Sequence, residues 1–326
     1  MLNKQPAILA HIPSLDLSQL LADVYPSVRT HRFSPPDVVE IQGSPASGKT
    51  HLLYHLLIDC IIPHAYQSSI LGGWGKAAII FDMDRTFDIV RLNQLLLGRL
   101  TQLLPSDIPL AQAISQISLG RLRVFRPDSS SQLAATISHL PNYHSAHLAD
   151  DYIGLVAVDS VSTHYWPDRF TTEQLRPTRK PGTDAQAFTP PLRHILTALE
   201  TFRRTHSVMI VLTNWGLHPV NTSFPVFYRQ HLHPFPVPFP DSRPSAPRPD
   251  AAVAASQTSA VNMLTLTHHV TLCPAIVPRL HQDMEVESYA KGALKDEEII
   301  ASVRTPNSTT ISEFVLYVTP DNVITG

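Results

Sequence analysis

Cysteine is scarce: the 326 residues hold two, Cys60 and Cys273. Two isolated thiols exclude a disulfide framework, and neither sits in the paired spacing of a zinc site. Both fall within apolar periodic segments, so they are expected as buried core thiols in a reducing compartment, cytosol or nucleus. No run of 18 or more apolar residues occurs, which excludes a membrane-spanning helix, and no membrane partner is expected. The opening MLNKQPAILAHIPSLDL lacks a long apolar h-region and a small-residue cleavage site, so no secretory signal is expected. Charge of one sign is also lacking. Lys and Arg number 25 against 27 Asp and Glu, a net charge of −2. No bulk basic field therefore coats the chain, and any DNA contact must come from local patches. No internal repeat is visible.

The 43% of hydrophobic residues is enough for a sizeable core. Seventeen histidines are scattered. Their closest pairings, His268-His269 and His231-Leu232-His233, lack the cysteine or carboxylate partners of a metal site. Residues 1–37 form a lead, in which Leu15 to Val24 reads as an amphipathic helix with Ser14 as its N-cap. Arg32-Phe33-Ser34-Pro35-Pro36 reads as an extended linker.

From 38 onward, strands alternate with helices. The pattern predicts strands at 38–42, 77–81, 121–125, 153–158 and 208–213. It predicts helices at 49–62, 86–104, 130–140 and 192–205. Strands this apolar, separated by helices, imply an α/β fold with a mostly parallel twisted sheet covered on both faces. The periodicity stops at Gly216. Many of the 29 prolines cluster in 216–258, a stretch expected to be a functional or disordered loop. Beyond it, 261–272, 299–304 and 313–318 alternate like antiparallel strands extending one edge. The expected organisation is a short lead at 1–37 and one core at 38–326.

Gly43-Ser44-Pro45-Ala46-Ser47-Gly48-Lys49-Thr50 matches the phosphate-loop pattern G-x-x-x-x-G-K-[ST], between an apolar strand and a helix. The glycines let the backbone curl and turn its N–H groups toward phosphates. Lys49 adds positive charge for the β- and γ-phosphates, and Thr50 offers a hydroxyl to Mg²⁺. The helix that follows aims its positive end at the same point. The expected ligand is a nucleoside triphosphate, ATP, with Mg²⁺. Such a loop needs a carboxylate at a neighbouring strand end. Asp159, closing Ile153 to Val158, is the candidate, with an ordinary helix or turn cap as the alternative. A base to orient attacking water is sought in Phe81-Asp82-Met83-Asp84. Both acids also fit plain solvated loop positions.

Several segments in order resemble the RecA-like recombinases, and among them the eukaryotic recombinase paralogues. They are VEIQGSPASGKTHLLYHLLIDCIIP (39–63), IIFDMDRTFDIVRL (79–92), Leu119-Gly120-Arg121, Ser129-Ser130-Ser131 and VAVDSVSTHYWPDR (156–169). The resemblance covers 38–215 and thins beyond. It implies a RecA-like ATPase core acting in the nucleus, in homologous recombination repair of DNA double-strand breaks. It also implies assembly with other recombinase paralogues in a hetero-oligomer.

Within that resemblance Asp84 takes the catalytic position, where active recombinases carry Glu. The shorter side chain withdraws the carboxylate by about 1.5 Å, a displacement that can cost on the order of a hundredfold in rate. Trp215 stands where active members have a γ-phosphate-sensing Gln after Asn214, and an indole cannot accept a hydrogen bond. No Phe here has Ala three residues later, so the hook of filament-forming members is absent. With only 37 residues ahead of the core, their N-terminal helical domain is not expected either. A homofilament is therefore not expected, and hydrolysis is expected to be weak.

The resemblance places DNA-facing loops at 161–190 and 216–258. Arg169, Arg176, Arg179 and Lys180, with Tyr165 and Trp166, suit single-stranded or branched DNA, or equally a solvated basic loop. The second loop, with Arg229, Arg243 and Arg248 among aromatics, suits a partner protein as well as DNA. Two other readings stay open: a stand-alone P-loop enzyme such as a small-molecule kinase, and a nucleotide-independent scaffold.

Overall fold

The computed structural model describes residues 36–149, 151–175, 190–220, 225–233, 235, 263–274, 297–306, 310–319 and 323–325. The expected helix at 15–24 lies outside them. Chain order runs β1 (Val38–Gly43), α1 (Lys49–Ile61), a two-residue hairpin β2 (Ala65–Tyr66) and β3 (Ser69–Ile70), then β4 (Ala77–Asp82). Next come α2 (Ile89–Leu103), α3 (Ile108–Leu119), β5 (Leu122–Phe125), α4 (Ser130–His147) and β6 (Ile153–Asp159). Then follow α5 (Tyr165–Leu175), α6 (Pro191–His206), β7 (Met209–Trp215), β8 (His268–Pro274), β9 (Glu297–Arg304), β10 (Ser312–Val318) and β11 (Val323–Thr325).

One nine-stranded sheet has the order β11-β10-β9-β8-β1-β7-β6-β4-β5. Neighbours from β8 to β5 are parallel, and β8 to β11 pair antiparallel. The expected α/β fold with an antiparallel C-terminal extension is thus the observed one. One strand differs: β8 begins at His268 and runs parallel to β1, with Glu40 opposite His269. Alternation alone cannot distinguish a strand that is parallel on one side and antiparallel on the other.

The sheet is covered on both faces because alternate side chains of each strand feed different cores. Leu155 and Ala157 of β6 join the cluster built with α1, α2 and α3. Val156 and Val158 join the cluster built with α4 and α6. Helix ends follow local chemistry. Asp88 caps α2 by accepting from the Val90 and Arg91 N–H groups, so the helix starts at 89 rather than 86. Asp107 caps α3 with Pro109 in its first turn, a helix that this weakly periodic stretch did not announce. Helix α4 does not stop at 140. It passes Pro141 and ends at His147, which carries the C-capping Leu148 into the core. Of the two thiols, Cys60 is buried as expected, while Cys273 on β8 is partly exposed.

Strand register positions the functional end. Gly43 lies opposite Trp215, and Asp82 opposite Asp159. The C-terminal ends of β1, β7, β6 and β4 therefore finish level, forming the crevice where parallel α/β sheets place ligands. Among the described residues, no helix is long and apolar enough to cross a membrane.

Candidate functional site

The Gly43–Thr50 loop leaves β1 and enters α1 at this level. Gly48 is the N-cap of α1 in the left-handed region, φ 86° and ψ 8°, with no side-chain cap. A Cβ there would collide with the Ile299 side chain of β9, and a Cβ at Gly43 with the Ser47 hydroxyl. The two glycines thus serve different needs, backbone sign plus space at 48 and space alone at 43. Ala46 also has positive φ, 58°. Lys49 curls back so that its ammonium donates to the Gly43 and Ser44 carbonyls at 3.0 and 2.7 Å. Burial lowers its pKa below the ordinary lysine value, and Asp159 and Asp84 offset part of that. The Ser47 hydroxyl is buried without a hydrogen-bond partner.

Asp159 meets the loop from β6. Thr50 Oγ1 donates to its Oδ2 at 3.1 Å, and the Thr213 hydroxyl of β7 donates to Oδ1. The carboxylate is buried. Burial raises its pKa, the two hydroxyls lower it, and nearby Asp84 and Asp82 raise it further. Asp84 is exposed, accepts from Thr86 Oγ1 at 2.9 Å, and lies close enough to act electrostatically on both Lys49 and Asp159. Asp82 departs from the solvated-acid reading. It is fully buried, accepts from the Phe87 N–H at 3.3 Å, and pairs with Arg126 Nε at 3.0 Å. Burial of a carboxylate demands such partners, so Asp82 holds the turn after β4 while Asp84 faces the crevice.

A polar layer lies under the loop. Glu40 and Gln42 of β1 are both buried. Asn214 Nδ2 and Gln230 Nε2 donate to Glu40 Oε1 at 2.7 and 2.8 Å. Arg304 Nε donates to His269 Nδ1 at 3.1 Å, and His269 Nε2 contacts Gln42 Oε1 at 2.8 Å. The tautomer consistent with both contacts has the proton on Nε2, as a neutral ring donating to Gln42. Desolvation, reinforced by Arg304, holds the pKa of His269 well below the ordinary histidine value. Gln42 Nε2 reaches the Trp215 carbonyl at 3.4 Å. Glu40 has a raised pKa from burial, which Asn214, Gln230 and Arg304 partly offset. Sequence reading missed this layer. Its only local sign is a Glu and a Gln two apart inside a strand that is otherwise continuously apolar.

The stretch read as a first DNA loop begins with helix α5. Arg169 on it is exposed, donates to Glu173 at 2.8 Å, and stands 5.7 Å from the Trp166 ring centroid. Trp166 and Phe170 are exposed at 43% and 64%. Arg176, Arg179 and Lys180 lie outside the described residues, as does most of 216–258. Within that second stretch, 225–233 is packed, with Phe227, Leu232 and nearby Phe235 buried. The structure thus defines an α/β chain with a strand-end crevice in which one loop, one lysine and one buried carboxylate converge.

No protein-family profile matches the chain. The sequence is similar to a curated DNA repair protein XRCC2 homolog of Arabidopsis thaliana, 24% identical over 230 residues, covering 62% of this chain and 61% of that protein. It is also similar to DNA repair protein XRCC2 of Mus musculus, 31% identical over 151 residues, covering 46% of this chain and 49% of that protein. The chain spans about half to three fifths of the length of these relatives.

Proposed function

We propose that this chain is a nuclear ATP-binding subunit of a recombination-type DNA repair assembly, built on a RecA-like core, with weak ATP hydrolysis. Similarity to two proteins named for DNA repair supports the biological role. The observation that carries the site is the Thr50–Asp159 hydrogen bond. It ties the last residue of the loop to a carboxylate 109 residues away, at the end of a parallel strand separated from β1 by β7.

The residues fit a triphosphate with magnesium. Among the described residues no cluster of three or more His, Cys, Asp or Glu could hold a metal ion by itself. One buried carboxylate and one hydroxyl suit an ion whose other ligands are water and phosphate oxygens. The orphaned Ser47 hydroxyl and the uncapped start of α1 are groups a phosphate would satisfy. Bound magnesium would supply charge that neutralises the phosphates. Lys49 would exchange its two loop carbonyls for phosphate oxygens, and Asp159, freed of repulsion from Asp82 and Asp84, would be held ionised. Asp84 would orient the attacking water, poorly because of its short side chain and exposed setting. Trp166, Arg169 and Phe170 form the described part of a surface for single-stranded DNA, by stacking and phosphate charge. The partners are other recombinase paralogues.

The test is titration of the protein, purified with whatever partners it retains from its own cells, with a fluorescent ATP analogue and magnesium. Wild type binds, Lys49→Ala weakens binding at least tenfold, and hydrolysis stays slow. Equal binding by wild type and Lys49→Ala would remove the nucleotide reading. Transfer of phosphate to a metabolite would replace it with a kinase.

A further inference from the structure

The segment after β7 meets the first residues of the loop at two of them, Gly43 and Ser44. The Gly216 N–H donates to the Gly43 carbonyl at 2.8 Å. Tyr228 lies against Gly216 so closely that a Cβ there would stand 2.7 Å from its ring. Ser44 lies close enough to the Tyr228 phenol to offset part of the upward shift that burial imposes on its pKa. Tyr228 is held in turn by a bridge to Pro219, and by flanking backbone bonds from Val220 N to the Phe227 carbonyl at 2.7 Å and from Arg229 N to the His218 carbonyl at 2.8 Å.

Two residues further on, Gln230 plugs into the polar layer. Its Nε2 donates to Glu40 Oε1 at 2.8 Å, and its Oε1 accepts from Asn214 Nδ2 and the Leu232 N–H, both at 3.2 Å. Glu40 is in the same strand as Gly43, three residues earlier, so the anchor and the gripped loop share one rigid element. Phe227 adds a face to the Arg304 guanidinium, 4.5 Å from its centroid. A half-buried amide bonded to a fully buried carboxylate has little water to fall back on, so this anchor resists release.

We propose that Tyr228 and Gln230 are positioning residues for nucleotide binding: Gln230, locked on Glu40, seats Tyr228 against Gly216 and Ser44, and Tyr228 fixes the entry of the Gly43–Thr50 loop. This rests on the nucleotide-binding reading above. The loop's conformation is then set before ligand arrives, so ordering it costs less on binding.

The experiment measures affinity for the fluorescent ATP analogue with magnesium, alongside thermal unfolding without nucleotide, on the full chain in its native assembly. Tyr228→Phe loses one hydroxyl, leaves the unfolding midpoint near wild type and weakens binding roughly fivefold, the worth of about one hydrogen bond. Gln230→Glu faces Glu40 with a second carboxylate and weakens binding at least as much. The exchange Glu40→Gln with Gln230→Glu restores the amide–carboxylate pair in reverse and returns affinity to within about twofold of wild type. A merely structural role for Gln230 would lower the midpoint without this paired rescue of affinity. Unchanged affinity in Tyr228→Phe, or no rescue by the exchange, overturns the proposal while Lys49→Ala still weakens binding. Wild-type affinity in Lys49→Ala overturns the underlying nucleotide reading instead.

Discussion

Gly48→Ala tests how the loop is held from the far side of the sheet. The residue has φ 86°, where an L side chain costs about 1–2 kcal/mol. Its new Cβ would meet Ile299 Cδ1, the flexible tip of a side chain only 2% exposed on β9. The tip must leave its rotamer well, a further ~0.5–1.5 kcal/mol. The sum is about 1.5–3.5 kcal/mol, or roughly 3–14 °C in unfolding midpoint for a domain of this size. The two contributions separate in a double-mutant cycle. Ile299→Val removes Cδ1 and alone costs about 0.5–1.5 kcal/mol. Combined with Gly48→Ala it relieves the collision, so the double variant is more stable than additivity predicts by about 1 kcal/mol. The left-handed backbone cost remains in both backgrounds. Thermal unfolding of the four proteins without nucleotide gives the cycle. Strict additivity would mean that β9 does not press on the loop and would refute the packing argument, leaving only the backbone term.

Three further perturbations have signed outcomes. Asp159→Asn keeps an acceptor for Thr213 and can bond Thr50 with roles reversed, while removing a buried charge whose pKa is raised by burial and by Asp84 and Asp82. It raises the unfolding midpoint at neutral pH yet abolishes the magnesium dependence of nucleotide binding, and a fall in both would contradict the assignment. Asp82→Ala leaves Arg126 and the Phe87 N–H without their acceptor, costing about 2–3 kcal/mol of stability. Asp84→Ala costs little stability, and the contrast between the two is read in one denaturant series. Glu40 has its folded pKa raised above the ordinary 4.5, so its contribution to stability is full below that value and is lost as pH rises through the folded pKa. Glu40→Gln lacks this dependence, so its stability relative to wild type increases as pH rises from 4.5 toward neutrality. A relative stability that falls over that range would show that the hydrogen bonds and Arg304 outweigh burial.

The legible parts of the fold were those whose signal is local. Continuous apolar runs at 77–81 and 153–158 read directly as strands buried on both faces. Asp159 stands out in the sequence because it follows such a run, and Lys49 and Thr50 because the loop's pattern is contiguous. Helix α5 was hidden because Tyr165-Trp166-Pro167 reads as loop. Its hydroxyls at Thr171 and Thr172 bond back to the Pro167 and Asp168 carbonyls, satisfying locally what the sequence presents as polar coil. The polar layer was hidden for a different reason. Asn214 to Glu40 and Gln230 to Glu40 span 174 and 190 residues, and no periodicity encodes a pairing at that distance.

Those distant pairings also bear on why the C-terminal strands belong to the site. Without β8, β1 would be an edge strand, with Glu40, Gln42 and the start of the loop open to water on one side. β8 closes that edge in parallel register, brings His269 onto Gln42, and carries β9 beside it so that Ile299 presses on Gly48 and Arg304 reaches His269. From the other flank, β7 delivers Thr213 to Asp159 and Gly216 to the Gly43 carbonyl. The loop is therefore fixed at Gly43, Ser44, Gly48 and Thr50 by three elements, the segment after β7, β9 and β6, none adjacent to it in sequence. A loop held from so many sides would, on the proposed nucleotide-binding reading, retain its shape whether or not the nucleotide is hydrolysed. That rigidity fits a site whose bound ligand braces a protein assembly better than one whose turnover drives motion, because turnover needs an element that changes partners when the γ-phosphate leaves.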